Sequence, residues 1–199
     1  NPRFPGDHER TIKHRQELIR VCTEFVNSGL ADSNFINSLA SDHDPTFWSC
    51  LSEALLADRL KNHSFPTRSR IGEGPDFLVM DGKKRVWIEG ICPEPRGVPG
   101  DWTNLSKNGH DFPHENILLR WTAAIKEKSE KLIGSPKNPN SGYLHSGLVS
   151  NDDAYVIAVN GVQLRNGPFS SHLGISQFPF VIEAVFPVGP YQLIIDKDT

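Results

Sequence analysis

The dipeptide Asp81-Gly82 constrains this chain more than any other feature, because it lies between two short apolar runs, Phe77-Leu78-Val79-Met80 and Val86-Trp87-Ile88. An Asp-Gly pair so flanked is a strong short-range signal for a two-residue hairpin turn, since glycine takes a positive φ without a Cβ clash. It predicts two antiparallel strands in a set register. With Asp81 and Gly82 as the turn, Met80 pairs with Lys83 and Asp76 falls opposite Trp87. Alternation along the strand then puts Glu89 on the face of Trp87, diagonal to Asp76 and within about 7–8 Å of it. Two carboxylates thus converge on one face of a rigid element.

Helical periodicity surrounds the hairpin. From about Asp7 to Asn27, Ile12, Ile19 and Val26 form one stripe that Leu18, Cys22 and Phe25 widen, which predicts an amphipathic helix. Asp44-Pro45 starts a second, with Trp48, Leu51, Ala54, Leu55 and Leu56 at helical spacing to about Lys61. Residues 93–114 hold Pro93, Pro95, Pro99 and Pro113 with Gly97, Gly100 and Gly109, a composition that predicts a long loop. A third helix runs from Glu115 to about Ile133, its stripe formed by Leu118, Trp121, Ile125 and Leu132, and Gly134 and Pro136 stop it. The runs 154–159, 180–186 and 191–195 are nearly continuous in apolar residues, as strands covered on both faces are. Together these predict an α/β fold, a central mixed β-sheet flanked by helices. The expected organisation is a single domain over 1–199, with a helical extension at 1–46, a core at 47–160 and additional C-terminal strands at 161–199.

Composition narrows the class. The 21 basic and 24 acidic side chains leave a net charge of −3, which excludes a wholesale basic coat for nucleic acid but not a local basic groove. Cys22, Cys50 and Cys92 are odd in number and lack CxxC spacing, against both a disulfide framework and a thiolate zinc site. With no run near the ~20 apolar residues of a membrane span, the expectation is a soluble, cytoplasmic protein without a membrane partner.

Paired acids on rigid strands repel unless a cation lies between them, and hard oxygen ligands suit Mg²⁺ or Mn²⁺. Such an ion acidifies a bound water and neutralises charge developing on a phosphate, so the pair points to metal-assisted hydrolysis of a phosphodiester. Gly74-Pro75-Asp76-Phe77 followed by Val86-Trp87-Ile88-Glu89-Gly90-Ile91 resembles the PD-(D/E)XK nuclease superfamily. The resemblance, over about 47–160, implies a restriction-endonuclease-like core in which Asp76 and Glu89 hold the metal, with a preceding helix that carries an acid and a following helix. Glu53, inside the second predicted helix, is the third acid that it implies. The expected activity is a divalent-metal-dependent nuclease acting on nucleic acid, DNA rather than RNA.

One position departs from the pattern. Two residues after the second acid, where the superfamily has lysine, this chain has Ile91. Either the lysine comes from elsewhere or catalysis has been lost. Lys128 is the candidate replacement, because Trp121, Ile125, Lys128 and Leu132 stand at i, i+4, i+7 and i+11 and direct it toward the sheet; Lys126 falls on another face. Members of the superfamily that carry their lysine on the helix after the acidic strand make this similar to an established variation. Arg68, Arg70, Arg120, Lys126 and Lys131 are candidate phosphate contacts, with a solvated face as the plain alternative. Trp102 either stacks on a base or anchors its loop.

Rival chemistries have less support. His110 and His114 stand four apart, but Gly109 and Pro113 argue against the helix that would let them share zinc. Cys92 with either histidine suggests a thiol nucleophile, yet Ile91 and Pro93 read as a buried strand end. Gly72-Glu73-Gly74 leads to Pro75 rather than to a helix N-terminus, so it is no phosphate loop. The competing class is a nuclease-like domain that no longer cuts and serves as a nucleic-acid-binding or protein-interaction module, for which Ile91 speaks.

Overall fold

The computed structural model describes residues 3–61, 74–103, 112–165, 173–186 and 188. They fall into two compact units, one of 1–91 with 128–158 and the other of 92–127 with 159–199.

In the first unit, α1 (Glu9–Asn27), a short α2 (Phe35–Leu39) and α3 (Asp44–Lys61) precede the hairpin strands β1 (Phe77–Asp81) and β2 (Lys84–Ile91). The C-terminal end of α5 (His114–Ile133) and most of β3 (Ala154–Val159) complete it. The three strands form a mixed sheet in the order β1-β2-β3. Val21, Phe25, Phe35, Phe47, Leu51 and Ala54 from the helices share one core with Phe77, Val79 and Ile88 from the strands. Val21, Phe25 and Phe35 bring the 1–46 segment into this core. Its buried stripe is Val21, Cys22 and Phe25, whereas the expected Ile12, Ile19 and Val26 are exposed, Ile19 to 66%. Both sets recur at helical spacing, and only contact with α3 chooses between them.

The hairpin register differs from the expected one. Asp81 pairs with Lys84 and Phe77 with Ile88, so the turn residues are Gly82 and Lys83, with Gly82 at φ +60°. A turn with positive φ only at its first central residue needs one glycine there, while the expected Asp81-Gly82 turn would force Asp81 itself into the left-handed region. The shift moves every partner: Asp76, one residue ahead of β1, continues the register to a place directly opposite Glu89 rather than diagonal to it. Val86 and Ile88 lie on the face of β2 that meets the helical core, and Trp87 and Glu89 on the other. The central strand β2 is buried on both faces around Trp87, Ile88 and Glu89. By contrast β3 leaves Ala154 and Val156 exposed, so it is not covered on both faces as expected.

The second unit holds the four-residue α4 (Gly100–Thr103), the first part of α5, and α6 (Phe180–Val185). Its core is Val98, Ile117, Trp121, Leu164 and Phe180. The strand expected at 180–186 is thus a helix. Phe180 and Glu183 are both buried, and residues three apart share a face in a helix but not in a strand. Glu183 belongs inside because it accepts from the Ser176 backbone N–H at 3.0 Å and contacts His114 Nε2 at 2.5 Å. The run expected as a strand at 191–195 lies outside the described residues. Among the described residues, no helix is long and apolar enough to cross a membrane.

Candidate functional site

The polar centre of the first unit is built on β2 and α5. Glu89 is wholly buried, its side chain 1% exposed. Lys128 Nζ donates to Glu89 Oε1 at 3.0 Å, and Lys131 Nζ donates to the same oxygen at 2.6 Å. Glu89 Oε2 is buried with no hydrogen-bond partner among the described residues. A buried carboxylate oxygen left unpaired is costly, and such an atom calls for an explanation.

Asp76 lies beside this carboxylate. Its Oδ2 accepts from the Gly90 backbone N–H at 2.7 Å. Burial, and then the Glu89 charge, push the Asp76 carboxyl above its ordinary pKa against the opposing pull of that bond and of the two lysines. A Cβ added at Gly90 would stand 3.3 Å from Asp76 Oδ2 and 3.4 Å from Leu56 Cδ2, so glycine here permits the close approach of the acid. Gly90→Ala is expected to displace the Asp76 carboxylate by a few tenths of an ångström and, if the two acids hold a divalent ion, to weaken Mn²⁺ binding severalfold while shifting the midpoint of urea unfolding little. Titration calorimetry beside urea denaturation checks both.

Two tyrosines flank the lysines. Tyr155, on β3, donates its hydroxyl to the Lys128 carbonyl at 3.2 Å, and its ring lies 6.5 Å from that of Tyr143. Burial first, and then Glu89, raise the pKa of both phenols. For Lys131, burial works against the ammonium, but its bond to Glu89 and the Glu89 charge outweigh this and hold its pKa above the ordinary value. The Tyr143 and Leu144 N–H groups donate to the carbonyls of Lys131 and Leu132 at 2.9 and 3.1 Å. This close return requires Gly142, where a Cβ would stand 2.5 Å from the Leu132 oxygen. The last turn of α5 is thereby tied on two sides.

The remaining sequence candidates are placed differently. Glu53 is partly buried on α3, where its charge adds to burial in pushing the Cys50 thiol up to about 12. No group of three or more His, Cys, Asp or Glu side chains gathers into a metal-sized cluster among the described residues, so Glu53, Asp76 and Glu89 are not gathered into one. Ile91 ends β2 and brings no lysine. In the second unit, Arg120 Nε donates to the Glu94 carbonyl at 2.8 Å, which commits that nitrogen to the fold, and Lys126 is exposed on α5. Arg68, Arg70 and His110 lie outside the described residues. Trp102 Nε1 donates to the Leu164 carbonyl at 3.1 Å with its ring 5.5 Å from Phe112, the anchoring alternative. Cys92 is buried with the Gln163 side-chain nitrogen 3.4 Å from its sulfur, as a strand-end thiol would be.

Sequence reading did not separate Lys131 from a solvated basic face, though its place three residues after Lys128 was a usable signal. Tyr143 carried none, because its position depends on the chain folding back at Gly142. No protein-family model, no curated protein and no solved structure matches this chain.

Proposed function

We propose that Asp76 and Glu89 form the acidic half of a divalent-metal centre, Mg²⁺ or Mn²⁺, that hydrolyses phosphodiester bonds of nucleic acid, DNA rather than RNA, within a restriction-endonuclease-like core. The observation that carries this reading is Glu89 Oε2, a buried carboxylate oxygen with no hydrogen-bond partner among the described residues, beside a second carboxylate, Asp76, that accepts from the Gly90 N–H. Charge alone does not demand the ion, since two ammonium groups already face the two acids. The orphaned oxygen supports it, because neither lysine bonds to it and a hard cation is a partner that suits two carboxylates.

The residues present fit such an ion through Asp76 and Glu89. When bound, it would supply Lewis acidity toward water and phosphate. The protein's own contribution is distinct. The Gly90 N–H orients Asp76, β2 holds Glu89 rigidly opposite, and Lys128 places a fixed positive charge where a phosphate becomes more negative during attack. Lys128 takes the role that Ile91 leaves vacant. Arg68, Arg70 and Lys126 remain proposed phosphate contacts.

Asp76→Asn tests the reading directly. The raised pKa means that the folded protein binds this proton more tightly than the unfolded chain does. The stability difference is therefore absent below the unfolded value near ~3.9, and the penalty grows as pH rises through the folded value. Metal-free Asp76→Asn is expected to unfold at a higher temperature than the parent at pH 7, with the gap closing toward pH 4. Titrated with Mn²⁺, the parent should gain stability and the variant should not. A parent indifferent to Mn²⁺ would favour the non-cutting nucleic-acid-binding or protein-interaction module, for which the two lysines already on Glu89 speak.

A further inference from the structure

Lys128 and Lys131 occupy one oxygen of Glu89 in unlike settings. The Lys128 side chain is 11% exposed and that of Lys131 43% exposed. Were Lys128 to leave Glu89, a buried ammonium would lose its charged partner without gaining water in exchange. Lys131 has water within reach of its head and a flexible four-carbon stem, so its departure exchanges one good solvation for another.

Two carboxylates and two ammonium groups make a neutral set. A divalent cation adds two positive charges to a poorly screened space, where like charges a few ångströms apart repel. One ammonium must withdraw, and exposure selects which.

We propose that Lys131 is a displaceable counter-ion: it holds Glu89 while no cation is bound, is driven off by the incoming cation, and then binds a phosphate of the nucleic-acid backbone beside the site. This rests on the metal-centre reading above. The i, i+3 spacing supports it, because residues three apart on α5 share a face and a released Lys131 stays beside Lys128. The Tyr143 N–H on the Lys131 carbonyl fixes the backbone from which the side chain swings. Lys131 is thus a competitor of the metal and a ligand of the substrate, and loss of its charge has opposite effects on the two.

The test uses the full chain and two probes, Mn²⁺ alone and a 20-base-pair DNA duplex with phosphorothioate linkages that resist cleavage. By titration calorimetry, Lys131→Met is expected to bind Mn²⁺ about tenfold or more tightly than the parent, and Lys131→Arg to return to the parent's affinity. With saturating Mn²⁺, Lys131→Met should bind the duplex more weakly, with a salt-dependence slope lower by about one; without Mn²⁺, duplex binding should not change. Far-ultraviolet dichroism verifies folding, and Lys131→Gln serves if the methionine variant does not fold. Mn²⁺ affinity equal to or below the parent's in the neutral variants overturns the counter-ion role and leaves the metal centre standing. An unchanged slope with Mn²⁺ overturns the phosphate contact. Absence of Mn²⁺ binding in parent and variants alike overturns both this inference and the reading beneath it.

Discussion

Glu89→Gln is expected to abolish Mn²⁺-dependent DNA cleavage and, unlike an ordinary active-site substitution, to weaken the fold as well. The amide keeps the shape of the carboxylate but removes the charge that Lys128 Nζ meets at 3.0 Å inside the protein. Breaking a buried pair from one side costs about 3–5 kcal/mol. Here the Lys131 bond to the same oxygen adds to the loss, and the exposure of Lys131 moderates it. Urea denaturation of the metal-free protein should therefore show a midpoint well below the parent's, and calorimetry should show no Mn²⁺ binding. Retention of full stability would mean that Lys128 finds solvent easily, and retention of cleavage would move the centre away from Glu89.

Lys128→Met should lower turnover by about 10²–10³-fold, the scale of removing one preorganised group aimed at developing charge. The loss should appear in kcat rather than KM, because the ammonium acts on charge that grows during attack. Stability should fall too, though less than in Glu89→Gln, since Lys131 remains on Oε1 and methionine fills most of the vacated space. Lys13→Met, a paired and exposed lysine on α1, controls for the general effect of removing one positive charge. Equal turnover in the two variants would refute the assignment of Lys128.

Both predictions depend on a geometry only partly legible in the sequence. The hairpin was legible, and so was the convergence of Asp76 and Glu89, because period-two alternation follows from strand geometry whatever surrounds the strand. Its register was not. Asp81-Gly82 and Gly82-Lys83 both offer a glycine to a two-residue turn, and a one-residue change of turn alters the partner of every side chain on the hairpin. Lys128 was legible in kind: the buried positions of α5 are Ile117, Trp121, Ala124 and Lys128, neighbours of the expected stripe that share Trp121 and Lys128 with it. The strand expected at 180–186 failed for a related reason. A short apolar run has no period of its own, and the partners of Glu183 that settle the matter, Ser176 and His114, lie outside it.

By itself, then, the sequence determined what local chemistry dictates: two antiparallel strands, three long helices, and two acids brought near each other. Tertiary structure alone decided that two lysines share one Glu89 oxygen while the other has no hydrogen-bond partner among the described residues, and that the chain returns at Tyr143 to the end of α5. The physical reason is range. Turn residues and periodicity act over a few positions, whereas a buried ion pair joins residues about forty positions apart, and its partners are chosen by the desolvation that only the assembled core imposes.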